Sequence, residues 1–175
     1  MIGKKILLRA LEPSDVDLLY KWENDQAIWK VSNTIIPFSK FMLEQYVISA
    51  DQDIYTTKQL RLMIDLKESI VDKTIGSIDL FDFDPNNQRA GIAILITREN
   101  RNKGYASEAL ELLINYAFNT LNLHQLYCNI DVDNKVSLKL FHNFDFKIIG
   151  TKKDWTYCDN EWNDEFMLQL VRSRQ

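Results

Sequence analysis

Apolar residues recur along this chain with two periods, and the switches between them outline its elements. Ile6-Leu7-Leu8-Arg9-Ala10-Leu11 is a short apolar run that reads as a first strand. Pro13-Ser14-Asp15 then opens a helix that carries Val16, Leu18, Leu19 and Trp22, with Ser14 placed to cap it. A second helical pattern follows Pro37 and covers 39–50. Leu60, Leu62 and Ile64 alternate with Arg61, Met63 and Asp65, as a strand with one better-buried face would. A polar turn over 67–73 leads back through a run at 74–83, so this is a predicted hairpin. Asp84-Pro85-Asn86-Asn87 is a turn signal, and 90–97 is the central apolar strand. Ala106, Ala109, Leu110, Leu113 and Ala117 then form a stripe at helical spacing, which lays a helix, clear from about Glu108, onto a sheet. Leu126, Cys128, Ile130 and Val132 alternate with Tyr127, Asn129 and Asp131 as the next strand. A short helix over 134–142 and strands near 147–151 and 165–170 complete the pattern. Strand runs come first and a strand–helix–strand unit sits in the middle. The expected fold is a mixed α/β (α+β) domain spanning 1–175, with a mostly antiparallel sheet of about six or seven strands flanked by helices.

Composition narrows the function classes. The chain has 175 residues, 46% of them hydrophobic, and only 5 Gly and 3 Pro, which suits one packed core without long linkers. A net charge of −4 gives no basic footprint for nucleic acid. No run approaches the roughly 20 apolar residues of a membrane span, and the first residues carry no signal-peptide pattern. Cys128 and Cys158 lack metal-type spacing and read as free thiols of a reducing, cytoplasmic compartment. With His124 and His142 as the only histidines, no metal site is expected.

Candidate chemistry begins at Arg101-Asn102-Lys103-Gly104-Tyr105-Ala106, between the apolar run 92–96 and the long helix. A strand, a cationic glycine loop and a helix start in that order point several backbone N–H groups at one spot, where the helix dipole favours an anion such as a diphosphate. The bland alternative is a capped loop with surface cations.

The loop, the Asn134-x-x-Ser137 helix start and the Phe144-Asp145-Phe146 exit together resemble the GCN5-related N-acetyltransferase (GNAT) superfamily. The branch with ribosomal-protein N-terminal and spermidine acetyltransferases is the most similar. Leu7-Leu8-Arg9-Ala10-Leu11-Glu12 with Asp15, Tyr116-Ala117-Phe118 with Leu121-Asn122-Leu123-His124, and Tyr157-Cys158-Asp159-Asn160-Glu161-Trp162 with Asp164 carry the likeness from about 6 to 170.

The resemblance implies the GNAT fold and acetyl-coenzyme A as cofactor. Its diphosphate would lie on Arg101, Asn102, Lys103, Gly104, Tyr105, Ala106 and Ser107. Its pantetheine arm would run along Ile94, Leu95 and Ile96, with a main-chain N–H, assigned to Leu95, polarising the thioester carbonyl. Such a donor is worth on the order of 3 kcal/mol. Asn134 would reach the coenzyme or cap its helix, and Ser137 and Lys139 would assist. Phe141 stands where many relatives have a tyrosine near the sulfur, and it cannot donate a proton. Asp145 replaces a usual glycine, and Gly91 stands where a second carboxylate is common. Asp79 is the favoured base, with Asp82 second; otherwise Asp79 is an edge aspartate. Trp22, Glu23, Asp25, Trp29, Asp82 and Tyr157 would meet the acceptor, unless the tryptophans are core and the acids solvated. The implied activity is transfer of acetyl to a primary amine by direct attack on the thioester. A polyamine such as spermidine heads the acceptors, with a protein N-terminus, an aminosugar or an antibiotic amine as alternatives. A weakly catalytic acetyl-coenzyme A sensor is the rival from another class. A homo-oligomer, dimer or larger, is expected.

Overall fold

The computed structural model describes residues 1–32, 34–49, 53–69, 73–158 and 160–172. Seven strands form one sheet in the order β1-β2-β3-β4-β5-β7-β6. They are β1 (Ile6–Ala10), β2 (Leu60–Leu66), β3 (Thr74–Asp84), β4 (Arg89–Ile96), β5 (Gln125–Asp131), β6 (Lys147–Cys158) and β7 (Glu161–Val171). All neighbours run antiparallel except β4 and β5, which are parallel and joined by a helix crossover. The helices are α1 (Val16–Glu23), α2 (Gln26–Ser32), α3 (Lys40–Ser49), α4 (Ile54–Thr57), α5 (Tyr105–Asn119) and α6 (Lys135–His142).

Period-two burial splits the sheet into two faces. Ile6, Leu8, Leu62, Ile64, Ile78, Leu80, Ile92 and Ile130 line one face. Ala109, Leu110, Leu113 and Ala117 of α5, with Phe141 and Phe146, cover it as the main core. Each fully buried Leu or Ile there contributes roughly 1.5–3 kcal/mol. Met63 belongs to the opposite face and packs under Leu19, Trp22, Leu43 and Val47 of α1 and α3, with Leu95 beside them. Burial pushes the Cys128 thiol up to about 12, so it is an inert core group.

The expected elements needed correction at their ends. Pro13–Asp15 is a one-turn 3-10 helix, and Asp15 rather than Ser14 takes the capping bond, accepting the Glu12 N–H at 2.9 Å. Asp15 also accepts two hydrogen bonds of 2.7 Å from Arg9, whose Nε reaches Asp65 at 2.9 Å. One guanidinium thus ties β1, the turn and β2. Burial opposes ionisation of Asp65, but its bonds from Arg9 and Thr74 hold it below the ordinary carboxylate range. The long helix begins at Tyr105, a turn earlier than its clear apolar pattern, because the basic loop ends in a left-handed glycine. β6 and β7 run well past 151 and start before 165. β6 is mostly exposed, so it carries no alternation to read, and its ladder with β7 holds it extended. Position 50, positions 70–72 of the expected turn, and Asp159 lie outside the described residues. Among those described, no helix is long and apolar enough to cross a membrane.

Candidate active site

The parallel pair at the centre of the sheet is short. β4 and β5 are in register only at Arg89, Ala90 and Gly91 against Gln125, Leu126 and Tyr127, and beyond them the strands separate. Ladder parity then decides which main-chain groups face the opening. The Thr97 N–H donates to the Ile75 oxygen at 2.9 Å, so odd-numbered residues of β4 are bonded to β3. The amides and carbonyls of Ile92, Ile94 and Ile96 therefore point away from β3 and toward the opening. Likewise, the Val132 N–H donates to the Asp164 oxygen at 3.1 Å, so even-numbered residues of β5 belong to β7, and Asn129 and Asp131 turn their main chain toward β4. Beyond Gly91 and Tyr127 two strand edges thus turn unpaired main-chain groups toward each other, the kind of edge with which an extended, amide-bearing chain pairs. The parity corrects the expectation for Leu95: its N–H is directed at Ser77 on β3, and the donors facing the gap are those of Ile94 and Ile96.

The basic loop closes the end of this gap. Arg98–Asn100 makes a 3-10 turn, Arg101 Nε donates to the Ile96 carbonyl at 3.0 Å, and Lys103 Nζ lies 3.3 Å from Asn100 Oδ1. Asn102 has φ 62 and Gly104 φ 86, the left-handed region that favours glycine. Gly104 is the N-cap of α5 and has no side chain to cap with. The amides of Tyr105, Ala106 and Ser107 precede the first intrahelical bond, which runs from the Glu108 N–H to the Gly104 oxygen at 3.2 Å. Glu108 turns its carboxylate elsewhere, accepting from the Lys5 N–H at 2.9 Å. A Cβ built on Gly104 meets nothing within 4 Å, so the space over these amides is open.

On α6, Asn134 Oδ1 accepts the Ser137 N–H at 3.1 Å and caps the helix, while Lys139 is exposed. Phe141 is 3% exposed and packs edge-on against Phe146 with centroids 5.0 Å apart. It is a core residue in this chain. Tyr157, 60% exposed on β6, packs at a tilt against Trp162 in the β6–β7 hairpin.

The opposite face of the sheet carries the acidic groups. Arg61, Asp79 and Ala93 are cross-strand neighbours on β2, β3 and β4. Arg61 Nε is 2.6 Å from Asp79 Oδ1, its terminal nitrogen is 2.8 Å from Glu23 Oε1, and its guanidinium lies over the Tyr46 ring at 5.4 Å. Trp29 Nε1 donates to the Glu23 carbonyl at 2.7 Å. Arg61, a residue that the sequence did not single out, thus joins Asp79 to Glu23, while Trp29 bonds to the main chain of Glu23. On β2, Arg61 reads as one polar member of an alternating strand, and nothing local signals its partners. Burial pushes the Asp79 carboxyl upward, and the Arg61 guanidinium pulls against it.

Three expected acceptor contacts are placed otherwise. Trp22 is 6% exposed inside the second core, because the inner stripe of α1 needs a large apolar residue there. Asp25 Oδ1 accepts the Ala27 N–H at 2.9 Å at the start of α2. Asp82, with φ 49, accepts the Tyr127 hydroxyl at 3.0 Å; burial and that bond push the phenol up to about 12. Gly91 also finds its reason here. A Cβ on it would meet the Phe81 ring at 2.3 Å, and that ring stands edge-on to Tyr127. An aromatic pair therefore occupies the space that a carboxylate on residue 91 would need.

Residues 5–147 match the family model described as Acetyltransferase (GNAT) domain, and the chain belongs to that family. It is therefore an acetyl-transferring enzyme whose donor is acetyl-coenzyme A. It is 30% identical over 170 residues to the N-acetyltransferase p20 of Bacillus licheniformis, spanning 97% of this chain and 94% of that protein. It is 23% identical over 177 residues to a spermidine N(1)-acetyltransferase of Vibrio cholerae, spanning 99% and 96%. A crystal structure of spermidine N-acetyltransferase from Vibrio cholerae, in complex with CoA and spermine, has the same fold. Its TM-score is 0.87 at 21% identity, over 97% of this chain and 96% of that one.

Proposed function

We propose that this chain acetylates a primary amine of a small polyamine such as spermidine. The observation that carries the reading is the gap between β4 and β5, open at main-chain level and ending on the Gly104 helix start, with Asp79 one strand away. These features fit acetyl-coenzyme A. The amides of Tyr105, Ala106 and Ser107, with Arg101 and Lys103 around them, would hold its diphosphate. The gap-facing groups of Ile94 and Ile96 would pair with its pantetheine amides, with Asn134, Ser137 and Lys139 bordering the arm. When bound, the coenzyme supplies the thioester carbonyl carbon that the amine attacks, C–N forming as C–S breaks.

The chain's own residues supply position and charge. Two carboxylates, Asp79 and Glu23, against one guanidinium leave a single net negative charge, the complement of one ammonium group. A carboxyl pushed upward by burial is better matched to taking a proton near neutral pH than an ordinary aspartate, which favours Asp79 as the base. Phe141, packed in the core against Phe146, offers no proton. The relatives named for spermidine support a polyamine over an aminosugar or a protein N-terminus. A dodecameric structure of the Vibrio cholerae enzyme supports a homo-oligomer for this chain as well.

The test is a calorimetric titration with acetyl-coenzyme A, followed by thiol release across polyamines, aminosugars and N-terminal peptides. Turnover fastest on a polyamine is expected. Turnover only on another class would replace the acceptor, and binding without any turnover would favour the sensor reading. Asp79→Asn is expected to lower kcat by about a hundredfold. It should also flatten the rising limb of the pH–rate profile while coenzyme affinity is kept. An unaltered profile would remove Asp79 from the chemistry.

A further inference from the structure

Helix α3 carries apolar residues on opposite sides, and the fold covers only one of them. Leu43 and Val47, one turn apart, are buried in the second core. Phe41 lies two residues, or about 200°, around the helix from Leu43. Ile48, seven residues further on, shares the side of Phe41, and these two are 63% and 68% exposed respectively. Ile35 and Ile36, in the segment leading into the helix, are 88% and 58% exposed. A helix apolar on both sides is suited to being covered on both. A groove of about 500 Å³ lies between α3 and the turn that opens α1. Pro13, Val16, Val47 and Ile48 give it apolar walls, and Glu44 also lines it.

We propose that the exposed side of α3 is the interface with a second copy of this chain, the two helices lying antiparallel about a two-fold axis between Glu44 and Gln45. This rests on the homo-oligomer reading above and on no part of the acceptor assignment. Self-complementarity favours a second copy over an unlike protein, because a two-fold interface must fit itself. The axis sets Phe41 against the partner's Ile48, and so seats the projecting ring of each copy at the groove of the other. Glu44 falls opposite the partner's Gln45, a carboxylate facing an amide donor, and Lys40 opposite the partner's Ser49, so no charge on the helix meets its like. The area agrees. With roughly 150–250 Å² on an exposed aromatic side chain and somewhat less on isoleucine, Phe41, Ile48, Ile35 and Ile36 leave on the order of 500 Å² of apolar surface bare. A stable interface covers about 800 Å² on each partner, about 65% of it apolar between identical copies, and the patch supplies that share.

Phe41→Glu and Ile48→Arg are to be compared with the unaltered chain, singly and mixed, by sedimentation and thermal unfolding. Each variant alone sets a charge against an apolar group at both junctions, and its self-association should weaken about a hundredfold. Both positions are mostly exposed, so the Tm of the monomer should be nearly unchanged. An equimolar mixture of the two variants should associate again. One junction then sets the introduced carboxylate against the introduced guanidinium, and the other keeps Phe41 against the partner's Ile48. A merely damaged fold would not recover on mixing. Weakening in both variants without recovery would overturn the antiparallel arrangement, and undiminished association in either variant would overturn the surface. An unaltered chain that sediments as a monomer would overturn this inference together with the homo-oligomer, while turnover of a polyamine by that monomer would leave the proposed activity standing.

Discussion

Gly104→Asp is expected to weaken acetyl-coenzyme A binding about a hundredfold relative to Gly104→Asn, with the two variants equally folded. The pair isolates charge from shape. Both side chains tolerate a left-handed backbone better than other residues, which the φ of 86 at this position requires. They are nearly the same size, and both would project into the open space over the first turn of α5. An aspartate at a helix N-cap favours the helix through the dipole and through accepting a free N–H, so Gly104→Asp has no reason to unfold the protein. What it does is put a fixed negative charge where a diphosphate would rest. At roughly 5 Å and an effective dielectric of about 20, the repulsion is about 3 kcal/mol, which is on the order of a hundredfold in affinity. Calorimetry gives the affinities and thermal unfolding the control. Equal affinity in the two variants would mean that the diphosphate lies elsewhere.

Arg61→Met should be the most destabilising single change near the site. Arg61 is the shared partner of Asp79 and Glu23, and all three side chains are largely buried, with 18%, 10% and 20% exposed in that order. Removing one member of a buried ion pair strands the other charge, at a cost on the order of 3 kcal/mol. For a chain of this length that is a fall in Tm of about 10 °C. The sign of the pH dependence identifies the cause. Without Arg61, burial is opposed only by a hydrogen bond from Gln59 and raises Asp79 further in the folded form. The folded state then binds more protons than the unfolded state between the unfolded value, about 3.9, and that raised value. Stability of the variant should therefore climb as pH falls through that window, where the unaltered chain changes less. Adding Asp79→Asn to Arg61→Met should return much of the loss. A cost below 1 kcal/mol, or no pH dependence, would show that solvent already screens the network.

Most of the architecture was legible along the chain because burial is periodic. A strand alternates and a helix repeats every three to four residues, so Leu62, Ile64, Leu110 and Leu113 announce their faces without reference to anything distant. The strand–loop–helix junction at Arg101–Gly104 was legible for the same reason, being local in sequence and dependent on a glycine that tolerates a left-handed backbone. Where an element has no buried face, as in most of β6, the pattern has nothing to report. Its length was missed accordingly, and only pairing with β7 reveals it.

The site divides along the same line. By itself the sequence determined the sheet, the helix that crosses it, the anion-ready loop and Asp79 as a carboxylate beside the central strand, because each rests on neighbours within a few residues. Tertiary structure alone decided three things. Trp22 became core because α3 packs over α1. Asp79 and Glu23 became one network through Arg61, which lies 18 and 38 residues from them in sequence. The amides facing the gap became those of Ile94 and Ile96 rather than Leu95, since parity in a ladder follows from the register with β3.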